Sequence, residues 1–527
     1  MAMKAGDLDI PLLRLSSGDD WSIRDALMHQ LVLGTTGSGK SSSTMKYTIG
    51  AMLKAGFGLL FCVAKPEDAA FIKKLCKQYH RQKSVIEITE HSGAFNPLAW
   101  ALARSGNIND AIDLLDHMIE IIRSSGPAAG KLGDEFWSSS KTAMLRAAIP
   151  VVWAATGTVR IDDVLAMIRS APANLDQFKD PEWQRNSDFY RFFSLAAQRL
   201  EQGPIPGFDD AVAERCLAYW REMAALDAKT LGNIRVTVTT ALSRFQTGLL
   251  KRMFAGDTDT VPELLFHGAI IILNIPVQIH GEDGAIAQKI WKFCTQKACL
   301  TRHALDERQS QIPVGIIADE AQNFLYHDAE FLAQCRSAYV SVVFATQSIP
   351  TIRAKIGGDN AETRAEHLIS NFNTVVLHSS ACPVTNKWFS DKIGRGLHHR
   401  DTYSESHGSG TNWSQTMGQS SQWGGSSNSG GSTSSDGKGG GSSSNSWGSG
   451  SSWGGGSNVG RSSGTSTNRN VSQGYSVVLD NIFEPGFFGR GLKTGGPANQ
   501  YRVSAVWMQA GRNFVHGGNA TIVEYRQ

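Results

Sequence analysis

The chain has 527 residues, enough for more than one domain with a sizeable core in each. Its 41% hydrophobic and 19% charged residues are those of a soluble globular protein, and a net charge of +3 excludes a uniformly basic nucleic-acid binder. A local basic track stays compatible with that balance.

Nothing in the chain predicts a membrane span or a secretory leader. The N-terminus MAMKAGDLDI has no apolar core of signal-peptide length. The most apolar stretches, near residues 147–155 and 269–276, fall short of the ~20 residues that cross a bilayer. Seven scattered cysteines (Cys62, Cys76, Cys216, Cys294, Cys299, Cys335 and Cys382) are odd in number and read as reduced thiols of a cytosolic protein. Cys294 and Cys299 lie close together without a second ligand pair, so two buried thiols on one helix are expected rather than a zinc site.

Taken in chain order, short apolar runs bounded by turn residues recur at 30–33, 58–63, 85–88, 269–273, 314–318, 340–345 and 373–377. Their continuous apolar character predicts strands of a parallel sheet buried on both faces. Helical patterns between several of them give the βαβ rhythm of an α/β domain. From about Asn107 to Met253 the pattern changes, with helical periodicity in AIDLLDHMIEIIR, DEFWSSSKTAMLRAAIPVVW and DDAVAERCLAYWREMAAL and little strand signal. An all-helical domain inserted between two strands is expected there.

A second break runs from residue 403 to 475, almost all Gly, Ser, Asn and Thr, with Trp413, Trp423, Trp447 and Trp453 spaced through it. Such a composition buries too little apolar surface to offset the entropy of ordering, which predicts a disordered loop. Only Lys438, Arg461 and Arg469 would attract phosphates, so tryptophan stacking on bases is the weaker reading of this segment. The expected division is therefore 1–106 and 261–402 as two parts of one sheet domain, 107–260 helical, 403–475 loop, and 476–527 returning to the sheet domain.

Gly34-Thr35-Thr36-Gly37-Ser38-Gly39-Lys40-Ser41 fits the phosphate-loop pattern, preceded by a strand and followed by helix-compatible SSSTMKYTIGAMLKAG, and with Ser42 it makes the expected nucleotide-binding set. Glycines let successive N–H groups turn inward around the phosphates of ATP, and the following helix adds its positive end. Lys40 is expected on the β- and γ-oxygens, and the Ser41 hydroxyl on Mg²⁺.

Gly315-Ile316-Ile317-Ala318-Asp319-Glu320 ends a buried strand in two acids, which needs a partner for the charge. Beside the phosphate loop that partner is the metal, held by Asp319, while Glu320 polarises the attacking water. The second acid favours hydrolysis over phosphoryl transfer to a metabolite. The next strand ends in Gln347, a candidate sensor of the γ-phosphate whose bland alternative is a turn cap. Arg336 precedes that strand, an arginine finger toward a neighbouring subunit or simply a solvated cation. Arg353 and Lys355 are candidate pore contacts, though a solvated turn explains them almost as well.

These residues resemble the coupling ATPases of conjugative and type IV secretion systems, TraG/TraD-like proteins within the larger group of FtsK–HerA pumping motors. LVLGTTGSGKS resembles the family's phosphate loop, and FGLLFCVAKPED its second strand and turn. Phe95-Asn96-Pro97-Leu98 resembles the element leading into the family's helical domain, which Asp134-Glu135-Phe136-Trp137 continues. IIADEAQNF and FATQS match the second acid motif and the sensor strand. Arg336 stands eleven residues before Gln347, as the family's trans-acting arginine does. Ile369-Ser370-Asn371-Phe372-Asn373-Thr374 and Leu492-Lys493-Thr494-Gly495-Gly496 also look like family elements.

The resemblance implies a RecA-like motor domain, a helical domain facing the cytosol, and a homo-hexamer whose ATP hydrolysis moves DNA through a central pore. It also implies relaxosome proteins and secretion-channel components as partners. Two departures stand out. Relatives usually carry an N-terminal transmembrane domain, so membrane attachment of this cytoplasmic chain is expected through a partner at the inner membrane. Ala64 stands where many relatives have an acid before the lysine, so no catalytic role falls there. A soluble pump of the same superfamily, and an ATP-gated adaptor that recruits substrates without translocating DNA, remain open alternatives.

Overall fold

In the computed structural model, residues 5–125, 135–304, 312–413, 431–434, 442–445 and 463–527 are described. They divide into two units, 1–389 with 485–527, and 390–484.

In the first unit, apolar runs become strands because both of their faces find cover. The strands in chain order are β1 (Pro11–Ser16), β2 (Asp19–Ser22), β3 (Gln30–Leu33), β4 (Gly58–Cys62), β5 (Val85–Ile88), β6 (Ile270–Leu273), β7 (Val314–Ala318), β8 (Val340–Thr346) and β9 (Thr374–Leu377). Every residue of β3, β4, β6, β7, β8 and β9 is buried, as continuous apolar strands of a covered parallel sheet require.

The second unit holds β10 (Arg395–Trp413), β11 (Gly431–Ser434), β12 (Ser442–Asn445) and β13 (Ser463–Asn481). β14 (Arg502–Gln509) and β15 (Ala520–Arg526) then return to the first unit. Nine strands form its sheet in the order β15-β14-β9-β3-β8-β7-β4-β6-β5. The seven strands from β9 to β5 run parallel, and β14 pairs antiparallel with both β9 and β15. The edge strand β15 alternates buried and exposed residues, Val523 and Tyr525 inward and Glu524 and Arg526 outward, because only one of its faces is covered.

Between β5 and β6 the described residues form helices and no strand longer than an isolated bridge. This run opens at Pro97–Ser105, where the Asn96 side chain caps the N–H groups of Leu98 and Ala99 and also donates to the Val159 carbonyl. Its apolar stripe is clearest in Ile108–Ser125, with Leu114, Leu115, Met118, Ile119 and Ile122 buried. The helix Glu135–Thr156 starts one residue past Asp134, which lies outside the described residues.

Helix Val277–Leu300 ties the sheet to this layer, since Gln288 bonds both the N–H and the carbonyl of Val63. Cys294 and Cys299 are buried thiols on that same helix. No helix among the described residues is long and apolar enough to cross a membrane.

The segment expected as a loop from 403 to 475 contains regular pairing at both ends. β10 and β13 pair antiparallel without a register break from Arg395↔Asn481 to Trp413↔Ser463, and β11 pairs with β12. Ladder formation draws on backbone N–H and C=O groups that every residue there supplies, whatever the apolar pattern. Trp423, Lys438, Trp447, Trp453 and Arg461 lie outside the described residues.

Candidate nucleotide site

The site is built at the C-terminal edge of the parallel sheet, where helix N-termini and strand ends converge. β3 lies between β9 and β8, and β8 separates β3 from β7. Leu33 is level with Thr346, and Ala318 with Phe344, so three strand ends finish together. The loops that follow carry Gly34–Ser41, Gln347 and Asp319-Glu320.

The phosphate loop takes its shape from two glycines above all. Gly37 and Gly39 have φ of +78° and +91°, a region L side chains rarely adopt. A Cβ on Gly39 would also come within 2.8 Å of the Val503 side chain. The loop is pinned from outside by Thr35, whose N–H and hydroxyl both donate to the Ser379 carbonyl. Helical residues 41–54 follow directly, aiming free N–H groups back at the loop.

Lys40 is buried, and its ammonium donates to the carbonyls of Gly34 at 2.6 Å and Thr35 at 3.2 Å. Burial lowers its pKa, while Asp319 and Glu320 act in the opposite direction. The Ser41 hydroxyl donates to Asp319 Oδ2 at 2.5 Å. Two hard oxygens so close suit Mg²⁺, which prefers oxygen ligands and tight geometry. Ser42 receives a hydrogen bond from the Gln527 amide at 2.9 Å.

Glu320 adopts a left-handed backbone, φ +52°, which turns the chain sharply after Asp319. Its carboxylate accepts from the Gln322 amide at 2.7 Å and from the Gln347 amide at 3.5 Å, and lies 4.0 Å from the Lys65 ammonium. Gln322 is in turn fixed by the Thr346 hydroxyl at 2.7 Å. Glu320 is thus held between a cation and two amides, one of them anchored by a strand-end hydroxyl.

Gly34 through Ser42, Asp319, Glu320 and Gln347 therefore meet at one sheet edge. Arg336 does not join them. It lies before β8, at the opposite edge, exposed and without a side-chain partner among the described residues. The seven residues of β8 put about 23 Å of strand between the two edges. Arg353 pairs with Glu362 at 2.7 Å and Glu366 at 3.6 Å.

Three site residues have no role assigned from their motifs. Lys65 follows β4, whose end lies at the same edge, and Gln322 follows the acid pair by two positions. His378 follows β9 and bonds the Thr44 hydroxyl at 2.8 Å beneath the phosphate loop. Burial, followed by the charge of Lys40, pushes the His378 imidazole down to about 3, so it is neutral there. For Lys65 and His378, only the strand order discloses the contact.

Residues 313–449, which include Asp319, Glu320, Arg336 and Gln347, match the family described as the TraM recognition site of TraD and TraG. No curated protein matches the chain by sequence. Among solved structures, the unbound monoclinic form of the bacterial conjugative coupling protein TrwBΔN70 is similar, with a TM-score of 0.52 and 14% identity over 99% of this chain and 91% of that one. Plasmid coupling protein TrwB with a non-hydrolysable ATP analogue gives 0.49 and 15%, over 75% of this chain and 83% of that one. TrwB with ADP and Mg²⁺ gives 0.48 and 14%, over the same shares of 75% and 83%. Residues 313–449 are thus similar to the TraD and TraG family model, and the fold of the chain is similar to that of the TrwBΔN70 structure.

Proposed function

We propose that this chain is an ATP-hydrolysing, DNA-translocating coupling protein that delivers a relaxase-bound strand to a type IV secretion channel. The observation that carries the reading is the convergence of Lys40, Ser41, Asp319, Glu320 and Gln347 on one sheet edge, in a chain with a coupling-protein fold.

Backbone N–H groups of residues 34–42 cradle the phosphates, and Lys40 leaves the carbonyls of Gly34 and Thr35 for the β- and γ-oxygens. Ser41 and Asp319 would hold Mg²⁺, which would offset charge on the phosphate oxygens. Glu320 takes a proton from the attacking water, and Gln347, already in reach of Glu320, reports the state of the γ-phosphate. The position of Arg336 at the far edge favours action on a neighbour's nucleotide, and hence a ring, with homo-hexamer assembly as the proposed form. Partners of the proposed motor are DNA in a central pore, a relaxosome protein of the TraM kind and the channel itself. It works at the cytosolic face of the inner membrane.

A second reading is favoured by the family match itself, because a TraM recognition site is a protein-binding surface. In that reading the chain is an ATP-gated adaptor that recruits its substrate without pumping. Steady-state ATPase with and without single- and double-stranded DNA separates the two. Strong stimulation, abolished in Lys40→Ala and Glu320→Gln, is expected of the motor, whereas turnover indifferent to DNA would overturn it in favour of the adaptor.

A further inference from the structure

We infer that His117, Glu120 and His327 form a binding site for a zinc-class divalent metal ion, fastening the helix Ile108–Ser125 to the segment that follows the acid pair. Their ligand atoms all lie within 4.8 Å of one another. Glu120 Oε2 is 3.6 Å from His117 Nδ1, and Glu120 Oε1 is 3.6 Å from His327 Nε2. A tetrahedral zinc ion with bonds of about 2.0–2.1 Å separates neighbouring ligands by about 3.4 Å. With one carboxylate oxygen serving as the ligand, separations of up to 4.8 Å close toward that edge length when an ion binds. Two imidazoles with one carboxylate select zinc and its neighbours over magnesium or calcium, which take oxygen ligands.

The frame that presents these atoms is set before any ion arrives. His117 and Glu120 are one helical turn apart and share a helix face. Tyr326 is buried, and its hydroxyl bonds both His117 Nδ1 and Glu120 Oε2 at 2.7 Å, which gathers the two side chains and is displaced from those atoms when an ion binds. The buried Asp328 fixes the other strand of the cluster: it pairs with Lys292, accepts from the Gln296 amide at 2.8 Å and from the Tyr326 N–H at 2.9 Å. His327 therefore sits on a rigid turn, with Glu330 Oε2 3.8 Å from its Nδ1. A carboxylate behind the far nitrogen of a ligating imidazole orients the ring and raises its basicity.

A cavity of about 550 Å³, lined by Glu120, Tyr326 and His327 among others, gives water access and supplies a fourth ligand. Lys289 on the same wall opposes a cation, but its ammonium is engaged by the Ser125 hydroxyl at 2.9 Å. The binding step is a ligand exchange: the ion loses waters, each histidine binds as the neutral imidazole, and any proton it carried passes to solvent.

The test is titration of the tag-free, chelator-treated full chain with Co²⁺, followed by displacement with Zn²⁺. One equivalent of Co²⁺ showing the intense visible bands of four-coordinate cobalt is expected, together with a rise in melting temperature on adding Zn²⁺. His117→Ala and His327→Asn, the latter tolerant of the left-handed backbone at φ +48°, should each weaken binding beyond the roughly 10–100-fold cost of losing an outer-shell partner. Glu330→Gln should cost about 10-fold. Glu120→Gln preserves shape and a hydrogen bond to Tyr326, so it tests the ligand even where a histidine variant fails to fold. Ser41→Ala should leave the cobalt spectrum unchanged, since the nucleotide site contributes only oxygen ligands. Absence of stoichiometric four-coordinate cobalt overturns the site. So does a spectrum that survives Glu120→Gln or both histidine substitutions.

Discussion

Ser41 donates a 2.5 Å hydrogen bond to Asp319, joining side chains 278 positions apart across the phosphate loop and the acid strand. The contact brings a helix N-terminus and a strand end to one point, where Ser41 and Asp319 would hold Mg²⁺. Replacing Ser41 by Ala removes one oxygen and leaves Asp319 in place. ATP hydrolysis should fall by about 100-fold or more, with a raised requirement for Mg²⁺. An ATPase rate measured against Mg²⁺ concentration checks this, and an unchanged Mg²⁺ dependence would count against Ser41 as a ligand.

Glu320 is fixed by Gln322, Gln347 and Lys65 rather than left to solvent. Glu320→Gln keeps the shape and the hydrogen-bond reach but removes the base. Turnover should drop by about 10²–10⁴-fold while nucleotide affinity stays near the wild-type value. Single-turnover kinetics alongside equilibrium binding of a fluorescent ATP analogue reads both quantities. A matching loss of affinity would mean that Glu320 serves binding instead.

Much of this was legible before the fold was known, and the reasons differ by element. β3, β4 and β6 through β9 are covered on both faces, so an unbroken apolar run is their signature. The covered strand β14 carries polar Ser504 and Gln509 and is less plain, while β15, exposed on one face, mixes Glu524 and Arg526 among its apolar residues. The pairing of β10 with β13 left almost no trace in composition, because Gly, Ser and Thr carry the same backbone groups as any other residue. In the site, Lys40, Ser41, Asp319 and Glu320 announce themselves by motif. Lys65 and His378 come close only because β4 and β9 end at the same edge as β7, which no spacing reports, whereas Gln322 stands two positions past Glu320.

Arg336 offers a test of assembly. Its side chain is exposed at the sheet edge opposite the nucleotide loops, about 23 Å of strand away from them. Arg336→Ala should lose hydrolysis by about 10³-fold or more if the guanidinium completes a neighbour's site. Mixing Arg336→Ala with Lys40→Ala should then restore part of the activity, because one variant retains an intact loop and the other an intact arginine. Activity of the mixture is the readout, and no recovery at any ratio would argue that each subunit works alone.

His29 gives the fold a pH dependence whose sign follows from its burial. The imidazole accepts the Val342 N–H at Nδ1 and lies 3.2 Å from the Leu332 carbonyl through Nε2, so it is neutral with Nε2 as the donor. Burial pushes it down to about 4 from 6.5. Above pH 6.5 neither the folded nor the unfolded chain protonates this group, and it has no effect on stability. As pH falls from 6.5 toward 4 the unfolded chain takes up a proton that the folded chain refuses, so stability declines, by on the order of 3 kcal/mol across the window. His29 also has φ +66°, which Asn tolerates, so His29→Asn can preserve the turn while removing the titration. Urea midpoints between pH 7 and 4.5 should fall more steeply for the wild-type chain than for His29→Asn. Parallel slopes would place the acid sensitivity in other groups.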